Sequence, residues 1–382
     1  MLPISWVKLG VMKKHSKEFS KLNKNYDDEL IIAWSIMKEF EKKILENFKL
    51  SQENYKNNFK SYHWNYQINK KENLYRIENL KDFRKNDLSY GLDDQFYSSE
   101  QTTSFFDNLI NDYGENYILN LLDEENVGNC IGSFIYKNKY YSANELFHIK
   151  FLSLIKGHTN LNSESIICEI GPGYGSFASK LIKSFNSKVV LIDLPESNFL
   201  NAFYLKKIFP NKKFFLSIDT LNNKIKKSDI LENDIIILNP WDKISDINFN
   251  LFVNSRSMME MNRETINFYF KFIQKNSTKD SFFLCINRYY KDTVGYPIEL
   301  HNYPFDKNWN TIISQSSWNQ DHIHFLFLKR TSENEGNIID ELKKIREISR
   351  LKVKDDPRLI RRITPNFLYK IYKKIKFFFL KR

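Results

Sequence analysis

The sequence contains little glycine, proline or cysteine. Its 382 residues include 11 Gly, 9 Pro and 3 Cys. So little glycine and proline excludes collagen-like and low-complexity architectures. No stretch approaches the roughly 18 uninterrupted apolar residues of a transmembrane helix, so we expect none. Because 42% of the residues are hydrophobic, the chain can bury a sizeable core, which excludes disorder over its whole length.

The cysteines and the start of the chain bear on the cellular compartment. Cys130, Cys168 and Cys285 are far apart and form no Cys-x-x-Cys pair. This spacing supports neither a disulfide framework nor a thiolate zinc site, and it fits a reducing compartment. The first twelve residues carry Lys8 within an apolar stretch and lack a small-residue cleavage site. We therefore expect a cytoplasmic protein.

The net positive charge is concentrated at one end of the chain. Residues 350–382 contain twelve Lys and Arg against two Asp, so they carry +10 of the formal +12 and leave +2 for residues 1–349. Phosphate contacts dominate the affinity of proteins for nucleic acids. A nearly neutral body therefore disfavours a protein that wraps DNA, and we expect no nucleic-acid partner.

The end of this basic segment has an amphipathic pattern. Within 364–382, apolar and aromatic residues occupy one side of a helical wheel and lysines the other, with Thr364 as a suitable N-cap and Pro365 at the first helical position. Such a helix suits an anionic membrane surface, which would place the protein peripherally at the inner membrane face. A terminal helix docked on its own domain or on a dimer partner explains the pattern equally well, and the oligomeric state stays open.

Composition and periodicity divide the chain into three parts. Residues 1–160 are expected to form a mainly helical region that covers the following domain and helps to form an acceptor pocket. Residues 161–332 are expected to form the central α/β domain. Residues 333–382 form the basic tail.

Helical signals recur in the first part. Apolar residues follow a helical spacing in 27–48, and 101–123 is also predicted to be helical. Ser142 and Glu145 have the spacing of a capping box, which predicts a helix that ends near Lys156.

From Ser165 onward, short apolar runs alternate with helical segments. Such alternation, with β-branched and fully apolar runs, predicts a parallel α/β sheet. Near the end, 310–314 and 322–329 flank a polar turn at 318–321, which predicts an antiparallel hairpin. We therefore predict an α/β fold with a Rossmann-like, mostly parallel sheet that ends in this hairpin. The predicted strands are 165–170, 188–194, 213–218, 234–238, 250–254, 281–287 and 322–328, and the predicted helices are 175–186, 196–209 and 257–275.

A glycine-rich loop with the sequence E-I-G-P-G-Y-G occupies 169–175, directly between a predicted strand and a predicted helix. Glycines permit a tight turn and let a ligand approach the backbone at a helix N-terminus. Asp193 ends the next predicted strand, where a carboxylate can accept hydrogen bonds from ribose hydroxyls. Together these features favour an adenosine-containing cofactor.

The spacing within the loop bears on which cofactor is bound. The nicotinamide fingerprint G-x-G-x-x-G/A has its third small residue where this chain has Ser176. Glu169 suits a ligand with an ammonium group better than a pyrophosphate. The pattern E-x-G-x-G-x-G followed by a strand-terminal Asp resembles the class I methyltransferase signature, which implies S-adenosyl-L-methionine. The cofactor-binding residues predicted here are Glu169, Gly171, Gly173, Tyr174, Gly175, Asp193, Leu194, Trp241 and Asn254.

Three further blocks resemble a family of bacterial sugar O-methyltransferases found in surface-polysaccharide gene clusters. They are D-L-P at 193–195, N-S-R-S-M-M-E-M at 254–261 and N-R at 287–288. The resemblance covers about 60–330. It implies methyl transfer from S-adenosyl-L-methionine to a sugar hydroxyl of a surface polysaccharide or its precursor.

The residues that would act on the acceptor are expected at the carboxyl ends of the strands, where ligands of open α/β sheets bind. Glu260 is the first candidate for a general base, and His301 is the second. Arg288 and Ser257 are candidates for binding the acceptor. His322 and His324 share one face of the last strand, but with Asp321 they do not converge, so we expect no metal site.

Two other functions stay open on the sequence alone. The turn Asn239-Pro240-Trp241-Asp242 is similar to a motif of amino-methyltransferases that hold a flipped adenine, although it has one proline where that motif has two. A non-catalytic glycan-binding module with a relic cofactor fold is the second alternative.

Overall fold

A computed structural model describes residues 17–89, 99–123, 126–130, 133–220, 224–245, 247–317, 322–332 and 335–354. The predicted turn at 318–321 and the predicted amphipathic helix at 364–382 lie outside the described residues. None of the described helices is both long and apolar enough to cross a bilayer.

The helices alternate with strands as predicted from Ser165 onward. The α-helices are α1 (Lys17–Glu53), α2 (Tyr62–Asn69), α3 (Ser99–Tyr113), α4 (Glu115–Leu121), α5 (Ala143–Lys156), α6 (Ser176–Phe185), α7 (Pro195–Ile208), α8 (Lys227–Leu231), α9 (Arg263–Lys275) and α10 (Ile338–Lys354). The strands are β1 (Ser133–Tyr136), β2 (Lys139–Ser142), β3 (Ile166–Ile170), β4 (Lys188–Ile192), β5 (Phe214–Leu216), β6 (Lys224–Ile225), β7 (Ile235–Leu238), β8 (Lys243–Ile244), β9 (Leu251–Ser255), β10 (Phe282–Arg288), β11 (Tyr290–Lys291), β12 (Ile298–Glu299), β13 (Trp309–Ser316) and β14 (Ile323–Arg330).

Eight strands form the central sheet, in the order β13-β14-β10-β9-β3-β4-β7-β5. The strands from β10 to β5 are parallel, whereas β14 runs antiparallel to both β10 and β13. The predicted α/β fold with a terminal hairpin is therefore confirmed. The inner strands are apolar on both sides because helices cover both faces of the sheet.

The two faces of the sheet bury separate apolar clusters. Successive side chains of a strand point to opposite faces, so Ile167 joins the cluster that contains the N-terminal helices, while Cys168 joins the cluster with α9 and α10. Phe48 of α1 packs on Phe199 of α7, with ring centroids 4.8 Å apart. The N-terminal helices thus share a continuous core with one face of the sheet.

Three helix boundaries differ from the sequence prediction. The first helix is longer, because the chain is helical from Lys17. The segment 101–123 divides at Gly114, whose φ of 86° interrupts the helix. The segment predicted as a helix from 257 begins as a short 3₁₀ turn, and α9 follows only after Asn262, whose side chain accepts a hydrogen bond from the backbone of Thr265 at 2.8 Å.

The predicted capping box is present at the start of α5. The backbone N–H of Ser142 donates to the side chain of Glu145 at 3.1 Å, which is the reciprocal half of that box.

The first part of the tail packs on the central domain. Its helix α10 buries Ile338 and Ile345 in the apolar cluster of that domain. This part of the tail therefore packs on the domain as an ordinary terminal helix.

Candidate functional site

A cavity of about 750 Å³ opens at the carboxyl ends of the parallel strands. The chain passes from β3 to β4 on one side and later returns to β9 on the other side of β3. Ligands of open α/β sheets bind at such a switch point. Residues following β3, β4, β9 and β10 line the cavity, and its volume is in the range of ligand pockets.

The glycine loop forms one wall of the cavity. Gly171, Gly173 and Gly175 have φ angles of 71°, 60° and 91°, which lie in the left-handed region that favours glycine. Gly171 also lies against Ser257, because a Cβ added to Gly171 would come within 2.0 Å of the Ser257 hydroxyl oxygen. The predicted need for glycine is thus conformational at three positions and steric at Gly171.

Substitution of Gly171 by alanine is expected to lower the free energy of unfolding by about 2–4 kcal/mol, since a strained φ adds to overpacking against Ser257. Gly295 is the matched control, because its φ is 90° but no atom lies within 4 Å of an added Cβ. Gly295→Ala should cost only about 1–2 kcal/mol. Equal losses in urea unfolding would contradict the close contact with Ser257.

Asp193 connects the glycine loop to the end of β4. One carboxylate oxygen accepts from the backbone N–H of Gly173 at 3.0 Å and the other from that of Leu194 at 2.7 Å. Burial nevertheless raises the pKa of Asp193 to about 7. The carboxylate lines the cavity and can accept further hydrogen bonds from a ligand hydroxyl.

Glu169 is the second carboxylate in the cavity wall. It lies in β3, is 2% exposed, and its Oε2 atom has no hydrogen-bond partner among the described residues. Burial, with the nearby charge of Asp193, raises the pKa of Glu169 to about 8. An unsatisfied buried carboxylate oxygen is costly, so this position suits a ligand that brings a hydrogen-bond donor or a positive charge.

The remaining predicted cofactor residues divide into two groups. Tyr174 and Leu194 line the cavity, and the Tyr174 ring packs on Tyr204 with centroids 4.9 Å apart. Gly175 instead takes the N-cap position of α6 and lies against Leu205. Its role is to start the helix, not to line the cavity.

Asn254 and Trp241 are placed outside the cavity wall, which corrects the expected contact with the cofactor. Asn254 is completely buried, donates to the carbonyl of Ile170 at 2.8 Å and accepts from Asn287 at 2.9 Å. It fastens β9 to its two neighbouring strands. Trp241 packs on Tyr55, with centroids 5.2 Å apart, and so belongs to the contact between the N-terminal region and the sheet.

The cavity wall also contains the predicted acceptor residues. Glu260, Ser257 and Arg288 all line it. The ammonium of Lys291 pairs with Oε1 of Glu260. No described residue bonds Oε2 of Glu260, which leaves that oxygen for a ligand.

His301 does not line the cavity, in contrast to the expectation for a catalytic residue. Its Nε2 atom lies 3.8 Å from a carboxylate oxygen of Glu299. Burial lowers the pKa of His301, and the charges that act on it include Arg346 and Arg350 of α10. The loop that carries His301 therefore faces the terminal helix.

The cavity residues that were not predicted as functional include two histidines and two cations. His148, Arg256, Lys291 and His322 all line the cavity. His148 interacts with the Ser176 hydroxyl at 3.0 Å. The sequence gave no sign of this contact, because most residues around His148 in α5 are apolar. His324 bonds Tyr289 and Ser314 inside the hairpin, as expected for a structural residue, whereas His322 reaches the cavity.

The N-terminal region contributes part of the cavity wall. Phe59, Trp64, Leu88 and Ser89 line it. Trp64 lies in α2, a helix capped by the side chain of Ser61. The residues that could contact an acceptor therefore come from both the central domain and the region before it.

The turn at 239–242 is covered by other side chains. The amide of Asn239 donates to Ser51 at 2.9 Å, and its carbonyl oxygen accepts from Asn198 at 3.3 Å. Its backbone N–H donates to Asp242. With Trp241 packed on Tyr55, this turn does not present a ring and a backbone surface to a flipped base.

Within the described ranges, no group of three or more His, Cys, Asp or Glu side chains could hold a metal ion.

Comparisons with known proteins give matches of fold only. No family model and no curated protein matches the sequence. Among solved structures, a mitomycin 7-O-methyltransferase matches with a TM-score of 0.32 and 13% identity, over 50% of this chain and 57% of that protein. The magnesium protoporphyrin IX methyltransferase of Synechocystis PCC 6803 matches with a TM-score of 0.35 and 8% identity, over 49% of this chain and 80% of that protein.

A third similar structure is the geranyl diphosphate C-methyltransferase of Streptomyces coelicolor A3(2), with a TM-score of 0.33 and 10% identity over 48% of this chain and 76% of that protein. The chain thus spans less than two thirds of the mitomycin enzyme. These scores carry no conclusion on substrate or chemistry, which must rest on the cavity itself.

Proposed function

We propose that this protein is an S-adenosyl-L-methionine-dependent methyltransferase that methylates a sugar hydroxyl of a bacterial surface polysaccharide or its precursor. The observation that carries the proposal is the buried, unsatisfied Oε2 of Glu169 in a cavity that also contains the glycine loop and Asp193. The sequence resemblance supports the sugar acceptor.

The residues present fit the cofactor. Glu169 can accept from an ammonium group, which supplies the donor that its Oε2 lacks. Asp193 lies at the end of β4, where a carboxylate can accept from ribose hydroxyls. The loop at 171–175 lets a ligand lie close to the backbone. When bound, the cofactor supplies an electrophilic methyl group on a sulfonium.

The protein's own contribution is to position the acceptor and to remove a proton. Arg288 can donate hydrogen bonds to acceptor hydroxyls. The hydroxyl of Ser257 donates to the carbonyl of Ile170 at 3.1 Å and accepts from Asn254 at 2.6 Å, so it can accept one further hydrogen bond from an acceptor hydroxyl. Positioning alone can supply a large part of the reduction of the barrier. Oε2 of Glu260 can take the hydroxyl proton, and Lys291 holds the carboxylate in place through Oε1. Trp64 and Phe59 can limit access of water.

Two measurements test the function. Calorimetry with S-adenosyl-L-methionine should show binding with 1:1 stoichiometry, whereas a relic fold should give no heat. Mass spectrometry of the surface glycan should show a deficit of one CH₂ per repeat when the gene is deleted. Methyl transfer to DNA or RNA, with no change in the glycan, would contradict the sugar acceptor.

Affinity for S-adenosyl-L-methionine is expected to rise with pH between about 6 and 8. Glu169 and Asp193 hold protons up to pKa values of about 8 and about 7, and the cationic ligand is bound by their ionised forms. A single such group gives roughly a tenfold change per pH unit below its pKa. Calorimetry at several pH values measures the slope, and Glu169→Gln should reduce it.

The raised pKa values of Glu169 and Asp193 also predict that the unliganded protein becomes less stable as pH rises. The folded chain holds these protons at a pH where the unfolded chain has lost them, so the free energy of unfolding falls as pH rises from about 4.5 to 8. An affinity for the cofactor that is constant across pH 6–8 would contradict the assigned role of Glu169.

A further inference from the structure

Arg256 has an uncommon backbone conformation at the cavity. It follows β9 directly, has a φ of 62° and lines the cavity. A non-glycine residue in the left-handed region costs of order 1–3 kcal/mol and is concentrated at functional sites. The backbone N–H of Arg256 donates to the carbonyl of Ile286 at 2.7 Å, so the bend is held by β10.

The guanidinium of Arg256 has no ion pair or hydrogen bond with the described residues. A partly buried arginine normally satisfies its five donors with carboxylates, carbonyls or water. The charge of Arg256 acts on His148 of α5: burial, and next this charge, lower the pKa of His148. His148 contacts the hydroxyl of Ser176, the first residue of α6, at 3.0 Å, and all three residues line the cavity.

Glu169 in β3 and Arg256 directly after β9 come from neighbouring strands. Val253 is the parallel partner of Glu169, so Arg256 lies three residues beyond the level of Glu169, past the carboxyl end of β9. One cavity thus contains a carboxylate oxygen and a guanidinium that have no hydrogen-bond partner among the described residues. A ligand with an ammonium and a carboxylate on one carbon matches both.

We propose that Arg256 binds the α-carboxylate of the cofactor's amino-acid end while Glu169 binds its α-ammonium, so that the cavity selects nucleosides with an intact zwitterion. This assignment rests on the proposed function. A guanidinium can hold a carboxylate through two parallel hydrogen bonds. The left-handed bend at Arg256 is then explained, because an extended residue after Ser255 would continue the strand instead of turning.

The experiment compares two nucleosides in calorimetric titrations. S-adenosylhomocysteine carries the amino-acid end, and 5′-methylthioadenosine lacks it. In Arg256→Asn, the affinity for S-adenosylhomocysteine should fall about 10–100-fold, as expected for loss of a charge-assisted bidentate pair. The affinity for 5′-methylthioadenosine should stay within about twofold. Asn is chosen because it tolerates the left-handed conformation.

Controls separate this role from folding and from the proposed function. Arg256→Lys should recover part of the affinity for S-adenosylhomocysteine. Arg76→Gln removes an exposed arginine that pairs with Glu78 at 4.0 Å and does not line the cavity, so it should change neither affinity. Equal losses for both nucleosides, or no loss for either, would overturn the assignment of Arg256 alone. A wild-type protein that binds neither nucleoside would overturn the proposed function, and this assignment with it.

Discussion

Replacement of Glu260 by glutamine is expected to reduce methyl transfer by roughly 10²–10⁴-fold, the usual contribution of a positioned base, and to leave the affinity for S-adenosylhomocysteine unchanged. Glutamine keeps the shape of the side chain but cannot accept the acceptor's proton. The measurement is single-turnover transfer of a labelled methyl group to glycan extracted from cells that lack the gene.

The geometry explains why Glu260 is preferred as the base. The carboxylate lies in the wall of the same cavity as Glu169, and Lys291 pairs with its Oε1. His63 on α2 senses the charges of both Glu260 and Lys291, although burial is the main cause that lowers the pKa of His63. The pair therefore lies where the N-terminal region meets the central domain, which is where an acceptor would enter.

The matched control for this experiment is Glu264→Gln. Glu264 is exposed in the first turn of α9 and does not line the cavity, so its replacement should not affect turnover. Turnover by Glu260→Gln at the wild-type rate would exclude Glu260 as the base. A parallel loss of affinity for S-adenosylhomocysteine would instead indicate a structural role for this carboxylate.

The central sheet and the cofactor half of the cavity could be predicted from the sequence because their signals are local. Buried parallel strands have continuous apolar runs, such as those before Glu169 and Asp193. Few residues other than glycine adopt a positive φ in a tight turn after a strand, so the glycine pattern itself made Gly171 and Gly173 recognisable in the sequence. In each case the chemistry and the backbone requirement lie within a few consecutive residues.

The rest of the site could be predicted only in part, because it depends on contacts between distant segments: Glu260, Ser257 and Arg288 line the cavity as expected, whereas other candidates do not. Asn254 has a residue type and a position that suit a ligand contact, yet its amide is used between strands. His301 lies in a polar loop, but that loop folds onto α10. Arg256 lies within the N-S-R-S-M-M-E-M block, but the block gives it no role, since a positive φ at arginine is visible only in the structure.

Replacement of Lys180 by methionine is expected to destabilise the protein by about 3–5 kcal/mol, because it leaves the buried carboxylate of Glu145 without its cation and that of Asp123 with Lys183 alone. Lys180 is completely buried in α6 and pairs with Asp123 at 2.7 Å and with Glu145 of α5. Lys183 also pairs with Asp123 at 2.7 Å. Despite burial, the two lysines hold the pKa of Asp123 below its ordinary value.

This cluster joins the N-terminal region to the helix that follows the glycine loop. The backbone N–H of Asp123 donates to Glu145 at 3.0 Å, and the hydroxyl of Ser179 donates to Asp123 at 3.1 Å. A change at Lys180 is therefore transmitted to α6, whose first turn borders the cavity at Ser176. We expect the affinity for S-adenosylhomocysteine to fall together with the free energy of unfolding.

Urea unfolding of Lys180→Met and of Lys343→Met provides the comparison. Lys343 pairs with Asp340 at 2.7 Å on the exposed surface of α10, where both side chains are about three-quarters exposed, and such a pair contributes at most about 1 kcal/mol. If Lys180→Met lowers the free energy of unfolding by less than about 1 kcal/mol, the buried carboxylates must find other partners or take up protons. The contact between the N-terminal region and the glycine loop would then depend mainly on apolar packing, including the contact of Phe83 with Tyr174, whose ring centroids are 5.6 Å apart.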